Sequence, residues 1–447
     1  MHEAVRFHSL QSYGYILRGA AGTLILRIFA AGLTLILSWL LARVLGVTDY
    51  GTYTYALAWV HFLATPACLG TDRLLVRLMA VYRVENHWAM ARGILRWSSR
   101  LALAASLSLA LIAFVVCLFF SSYINQAARQ TFLISLLVLP FLVLTNLRQS
   151  ALQGIQQVLR GQVSESIFRP LFALVLLASV YFASGERLSA STAASLNVVA
   201  SGVAFLIAGK LLKDSLPPSF KASSTEYRTA EWTSHALPLL LVATLGIIST
   251  QTETLILGAL KGMEAVGYFT VANRGAELIS LALLILSVPL APAYARLWAS
   301  REVSELERVA RLGTYASLLL ALPVALALIF YGQMFLSLFG QEFTQAQPAL
   351  QVLSVGHLFN VMMGSVALLL IMSGHEREVA VATAVSIIIK ILLCALLIQT
   401  RGVVGAAFAR SGSLIVWNLL LLRFVYKKLS INPTAFGKLS LSGRDGS

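Results

Sequence analysis

Charge is scarce in this chain, and negative charge scarcest: of 447 residues only 19 are Asp or Glu, against 34 Lys or Arg, and charged residues are 12% of the total. Soluble domains carry roughly 25%. With 58% hydrophobic residues and a mean hydropathy of +0.80, there is more apolar surface than a water-soluble core can hide, so a soluble globular protein is excluded. Cysteine is nearly absent. Cys68, Cys117 and Cys394 show no CxxC spacing and form no disulfide framework; they fall within or beside apolar runs and read as small packing residues.

The signatures of common catalytic sites are missing too. Gly202 and Gly209-Lys210 lack the spacing and the following Ser/Thr of a GxxxxGK[ST] phosphate loop, which argues against an ATPase. His375-Glu376-Arg377-Glu378 lacks the second His of HExxH, and no GxSxG is present. His61, His235 and His357 stand isolated near or within apolar runs and read as packing or interfacial residues. The chain is therefore expected to be no enzyme, to hold no metal or cofactor, and to bind no nucleic acid. A membrane glycan polymerase is the rival from another class, but such an enzyme calls for a large outer loop and every outer loop here is short.

What the chain has is apolar length. A bilayer crossing needs about 20 apolar residues, and hydrophobic runs separated by short polar breaks lie at 16–45, 52–70, 94–120, 131–158, 163–183, 189–212, 236–260, 264–298, 309–339, 346–372, 378–398 and 403–426. The fold class is an all-α integral membrane protein of about 12 transmembrane helices. The first run follows a polar lead with Arg6 and Arg18, is too long for a signal peptide, and leads into Ala42-Arg43-Val44-Leu45-Gly46 rather than a cleavage site, so it is expected to stay as a structural helix.

Cation placement gives an orientation. With the N-terminus inside, 23 of the 34 Lys and Arg fall in the alternate segments taken as cytoplasmic, six of them between Arg73 and Arg100 and four between Lys210 and Arg228. Only Arg43, Arg129, Arg187, Lys261 and Arg401 fall outside. Both termini are expected in the cytoplasm, in a multi-pass protein of the cell (inner or plasma) membrane, and the net charge of +15 becomes largely a topology signal.

Six cations remain, all within spans: Arg27, Arg148, Arg169, Arg274, Lys390 and Arg410. Glu253 and Glu277 are the acids read at comparable depth. A net positive interior suits an anionic cargo such as a phosphate or pyrophosphate head group and argues against a pump for organic cations. The six are the candidate substrate-binding residues, and Glu253 and Glu277 the candidates for coupling to a proton or sodium ion. Arg274 and Glu277 stand i,i+3 on one helix and are able to neutralise each other; Arg169 lies near an inner end, within reach of the interface. At 1.5 Å per residue, Arg169 and Arg148 are expected about 9 and 15 Å from the inner ends of their spans.

The polar stretch 213–235 divides the spans six and six. This gives an N-terminal lobe over 1–212, a cytoplasmic linker over 213–235, a C-terminal lobe over 236–428 and a cytoplasmic tail over 429–447. The halves echo each other: Leu45-Gly46 before Tyr50-Gly51-Thr52-Tyr53 recurs as Leu257-Gly258 before Val266-Gly267-Tyr268-Phe269, and Gly154 and Arg169 align with Gly374 and Lys390. Transporters built from such repeats place their cargo near the bilayer midplane.

Ala42-Arg43-Val44-Leu45-Gly46, Asp49-Tyr50-Gly51-Thr52-Tyr53 and Gly70-Thr71-Asp72-Arg73 resemble the opening of the polysaccharide-transport (oligosaccharide flippase) family, within the superfamily that contains multidrug and toxin extrusion pumps. Leu152-Gln153-Gly154, Gly267-Tyr268-Phe269, Ala272-Asn273-Arg274 and Gly402-Val403-Val404-Gly405-Ala406-Ala407 are similar in kind. The resemblance implies two six-helix lobes that rock about a central cavity. By this alternating access they would move a polyprenyl-pyrophosphate-linked oligosaccharide from the cytoplasmic to the outer leaflet during cell-surface polysaccharide (lipopolysaccharide-type) biosynthesis. The implied partners are that anionic lipid-linked glycan, membrane lipid, a coupling ion and glycan-assembly proteins. The alternative within the superfamily is an ion-coupled multidrug extrusion pump.

Overall fold

The computed structural model describes residues 2–120, 122 and 125–436, excluding the side chains of residues 2–21 and 23. The side chains of Arg6 and Arg18 near the N-terminus, and Lys438 and Arg444 of the tail, lie outside what is described. Every regular element among the described residues is a helix. In chain order they are α1 (His2–Ala67), α2 (Thr71–Val84), α3 (Trp88–Phe119), α4 (Gln126–Gly154), α5 (Val158–Ser184), α6 (Ala190–Ser215), α7 (Thr229–Lys261), α8 (Met263–Ala299), α9 (Val303–Phe330), α10 (Gln341–Met372) and α11 (Glu376–Leu429). A short helix, Pro218–Ala222, lies between α6 and α7 and another, Gly332–Phe339, between α9 and α10.

All of these except α2 and the short helices are long and apolar enough to cross a membrane, which makes ten candidate spans. Two of the ten do double duty. From Leu24, α1 runs 44 residues and α11 runs 54, about 66 and 81 Å of helix at 1.5 Å per residue, against a hydrocarbon layer of about 30 Å. Each breaks at one glycine: Gly46 takes φ 75° and Gly402 φ 54°, left-handed values open to glycine at little steric cost. Counting each as two passes gives twelve, as the sequence runs predict.

Residues Ile25–Gly267 form one compact unit and Met1–Leu24 with Tyr268–Ser447 another. Within the first, short breaks on one face meet: the Leu188 N–H donates to the Val44 carbonyl at 3.3 Å, and Gly51 lies against the backbone of Met263, where a Cβ would overlap the carbonyl. At the other end of the same helices, Arg92 donates to the carbonyls of Lys221 (3.1 Å) and Ser223 (2.6 Å), Arg96 donates to Thr225 (2.8 Å), and Arg83 donates to the Ile155 carbonyl. Trp232, fully buried, donates its indole N–H to the Tyr82 hydroxyl at 3.2 Å. The stretch 213–235 is thus docked onto the α2–α3 turn, and α7, which follows it, packs against α2 within this unit. Helix α2 occupies what the sequence offers as a basic loop; its buried Leu74, Leu75, Met79 and Tyr82 form the apolar stripe that folds it down.

Helix α6 is the ruler of this unit. Its buried residues Ala193, Ala194, Asn197, Ala200, Ser201, Ala204 and Ala208 are small and recur every three or four positions, which lets α4 and α5 approach closely. Ser189 caps its start by accepting from the Thr192 N–H.

In the second unit, Tyr294, Leu297, Leu306, Leu370, Val425 and Leu429 bring the ends of α8, α9, α10 and α11 into one buried cluster. The segment after α11 closes over them. Thr314 donates to the Pro433 carbonyl at 2.8 Å, Tyr315 to Ala435 at 3.1 Å, and the Ala435 N–H to the Met362 carbonyl at 3.0 Å.

Candidate functional site

In the unit Ile25–Gly267, Arg148 of α4 reaches across to α6. Its Nη1 donates to the Phe205 carbonyl and its guanidinium carbon lies 3.6 Å from the centroid of the Phe205 ring. Gly209, one turn on, makes room for it: a Cβ there would sit 2.8 Å from Arg148 Nη1. No carboxylate pairs with Arg148 among the described residues, so its charge is held by a carbonyl, a π-face and nothing negative. Arg27 is exposed and forms no ion pair among the described residues. Glu253 of α7 is fully buried.

Arg169 is placed differently from the sequence expectation. Its Nε donates to Glu165 Oε1 at 2.6 Å and its Nη1 to Asn197 Oδ1 at 3.3 Å. Glu165 stands i,i+4 to Arg169, the spacing that signals an ion pair, and it belongs with Glu253 and Glu277 among the deep acids. The helix widens to a π-helical turn over Ser164–Phe168, directly before Arg169, a distortion that helices concentrate at functional positions. The depth order is also reversed. Asn197 and Phe205 are eight residues apart on α6, about 12 Å, and Arg169 sits at the level of Asn197, farther from the Ser215 end than Arg148. The cause is the start of α5: the polar residues Arg160-Gly161-Gln162 continue the helix below the apolar run, so α5 begins at Val158.

In the second unit, three predicted site residues converge. Glu277 of α8 accepts from Asn273 Nδ2 at 2.8 Å, and pairs with Arg274 Nη1 at 3.3 Å and with Arg410 Nη2 of α11 at 3.5 Å. Two guanidinium groups share this one carboxylate. The arginine contacts are long for charge-assisted bonds, which run about 2.7–2.9 Å, and the Arg274 and Glu277 side chains are 39% and 38% exposed. Lys390 is buried in α11. His357 of α10 belongs here as well: its Nδ1 lies 2.7 Å from Ser280 Oγ, and Ser280 is one turn beyond Glu277. Asn273, Glu277 and Ser280 at i, i+4 and i+7 mark one face of α8, a signal present in the sequence; the link to His357, 77 positions away, is not.

An apolar hollow in the first unit, about 600 Å³, is lined by Tyr55, Trp59, Phe120, Phe132, Asn125 and Gly258 among others. No charged residue lines it among the described residues, which separates it from the cationic positions. Cys68, Cys117 and Cys394 are buried and form no disulfide among the described residues.

An all-α fold with twelve apolar passes and guanidinium groups at membrane depth is the architecture of a membrane transporter. Residues 16–298 match the polysaccharide biosynthesis protein family, and the chain belongs to it. Residues 236–396 match the MatE family. Among solved structures, an inward-facing multidrug resistance MATE family transporter of the MOP superfamily superposes with a TM-score of 0.71 at 15% identity, over 91% of this chain and 98% of that one. The lipid II flippase MurJ in its inward closed conformation gives 0.69 at 16%, over 90% and 86%. A MOP superfamily transporter from Pyrococcus furiosus, whose binding pocket is described as reversed in polarity, gives 0.64 at 15%, over 93% and 95%. No curated protein matches the sequence. The fold is that of the MOP superfamily.

Proposed function

We propose that this chain flips a polyprenyl-pyrophosphate-linked oligosaccharide from the cytoplasmic to the outer leaflet by alternating access, as a transporter and not as an enzyme. The observation that carries this reading is Arg148, a guanidinium at membrane depth with no carboxylate partner among the described residues. A retained cation in a span calls for an anion. The pyrophosphate and sugars are the parts of such a cargo that hydrocarbon rejects; the prenyl chain is able to stay in the bilayer. Membership of the polysaccharide biosynthesis protein family supports the glycan. Arg27, Arg169, Lys390 and Arg410 join Arg148 and Arg274 as proposed cargo contacts, with Arg169 positioned by Glu165 and Asn197. Glu253 and Glu277 are the proposed coupling residues for a proton or sodium ion, and glycan-assembly proteins are the proposed partners. Both termini are proposed to face the cytoplasm.

Two observations favour a second reading. The MatE match over 236–396 and the MATE neighbour support a multidrug extrusion pump. Competition binding separates them: displacement of a labelled prenyl pyrophosphate by inorganic pyrophosphate, with no effect of an organic cation such as rhodamine, supports the flippase. Displacement by the organic cation alone overturns it.

A further inference from the structure

The apolar hollow of about 600 Å³ is graded from one end to the other. Its long walls are the second pass of α1, from Thr52 to Leu63, and α3 from Leu109 to the residue after its end, Phe120. Each stretch rises about 16 Å, close to the roughly 15 Å of hydrocarbon in one leaflet. Polar residues gather at one end: Thr52 follows the break at Gly46, and Asn125 caps the start of α4. At the other end, toward mid-bilayer, stand Leu63 and Leu109. Between them Trp59 meets Tyr55 edge-on at 6.5 Å, and Tyr55 lies so close to Gly258 of α7 that a Cβ there would overlap its ring. The α3 wall is open, because Ile112, Val116 and Phe120 are exposed. The hollow is a slot one leaflet deep, polar only at its mouth.

One cation stands at that mouth. Arg129 lies four residues after Asn125 and three before Phe132, both in the lining, so it shares their face of α4 and borders the slot. It is near enough to Cys117, another lining residue, for the two to interact electrostatically, and no carboxylate pairs with it among the described residues. We propose that the slot is an outer-leaflet site for the lipid-linked cargo, with the prenyl chain against Tyr55 and Trp59 and the pyrophosphate on Arg129. The inference rests on the flippase reading and its orientation, and adds where the flipped lipid is held before release. A lining without charge suits a chain and rejects a head group; the guanidinium beside it supplies the fork that phosphate oxygens take. One slot with one cation at its mouth matches a cargo of one chain on one anionic head, whereas a phospholipid brings two chains on one glycerol. Arg129 and Arg148 are on the same helix, about 28 Å apart at 1.5 Å per residue. Helix α4 thus carries one cation toward each leaflet.

The test is photolabelling of the full-length protein in nanodiscs by farnesyl pyrophosphate carrying a diazirine on its terminal isoprene, with labelled peptides mapped by mass spectrometry. Wild type is compared with Ala113→Trp, which fills the slot, with Leu111→Trp, which puts the same bulk on the exposed side of α3 outside the lining, and with Arg129→Ala. Expected is label in 52–63 and 109–132 that unlabelled farnesyl pyrophosphate displaces. It should fall about tenfold or more in Ala113→Trp, stay unchanged in Leu111→Trp, and need about 3- to 5-fold more probe for half-saturation in Arg129→Ala, the range of a part-exposed ion pair. Label that unlabelled probe does not displace, or that Ala113→Trp leaves unchanged, overturns the slot. A half-saturation for Arg129→Ala equal to wild type overturns the head-group contact, whether or not Ala113→Trp inserts. A photoreactive phosphatidylglycerol that labels the same segments and excludes the prenyl probe overturns the choice of occupant. Displaceable label confined to the peptide holding Arg148 overturns the slot and leaves the flippase reading standing, whereas no displaceable label anywhere in wild type overturns both.

Discussion

Replacing Arg148 by Ala separates a cargo contact from a packing contact. The side chain makes one charge-assisted hydrogen bond to the Phe205 carbonyl and one stacking contact with its ring. Such bonds are worth about 1.5–3 kcal/mol and cation–π contacts about 0.5–2 kcal/mol. The Phe205 carbonyl keeps its helical partner, and removing the guanidinium also removes the cost of holding it in a span. A net loss of about 1–2 kcal/mol is expected, small enough to leave a folded, inserted protein. Losing a desolvated partner of the pyrophosphate costs about 2–5 kcal/mol, or about 30- to 4,000-fold in affinity at 1.4 kcal/mol per decade. Glycan export by Arg148→Ala in a transporter-null strain should therefore fail at near-normal protein level, with Arg148→Lys intermediate because it keeps the charge but loses the flat bidentate fork. Full complementation by Arg148→Ala refutes the reasoning, and loss of the protein from the membrane assigns the residue to packing.

Gly209→Ala places a methyl 2.8 Å from Arg148 Nη1; the flexible guanidinium moves rather than the helix, so transport should drop while thermal stability stays within about 1 kcal/mol, helped by the better helix propensity of Ala, and a large loss of stability with normal transport contradicts this. Arg169→Ala strands Glu165 and is expected to cost about 3 kcal/mol, seen as a lowered unfolding midpoint in detergent, whereas Glu165→Gln combined with Arg169→Met should recover most of it; a double variant no more stable than Arg169→Ala rules out the ion pair. Cysteines introduced singly at exposed positions in 85–87 and 223–226 should all be protected from a membrane-impermeant thiol reagent in intact cells, and labelling of either segment from outside reverses the proposed orientation.

The membrane class and the number of passes were legible because hydropathy and span length are local. The polar breaks at 46–51 and 399–402 show where the chain must turn, and the structure turns at Gly46 and Gly402 with no more than a break in a continuing helix. The pair Arg274–Glu277 was legible from its i,i+3 spacing. Arg169–Glu165 had the same kind of signal and was obscured because Arg160-Gly161-Gln162 looks like a loop, which moved the apparent start of α5 and left Glu165 off the list of deep acids. Arg410–Glu277 and His357–Ser280 join positions 133 and 77 apart, and no local pattern encodes which face of α10 or α11 turns toward α8. His357 reads as an isolated packing residue for that reason. Helix α2 was hidden by its arginines, although Leu74, Leu75, Met79 and Tyr82 carry a helical stripe.

The central claim is tested most directly by purified protein reconstituted into liposomes with a labelled polyprenyl-pyrophosphate-linked oligosaccharide, the label being read by an impermeant glycan-cleaving enzyme added outside. The account predicts that wild-type protein makes the inner-leaflet pool accessible and that Arg148→Ala, at equal incorporation, does so at least tenfold more slowly. Equal accessibility in liposomes with and without the protein, or an Arg148→Ala rate matching wild type, would contradict it.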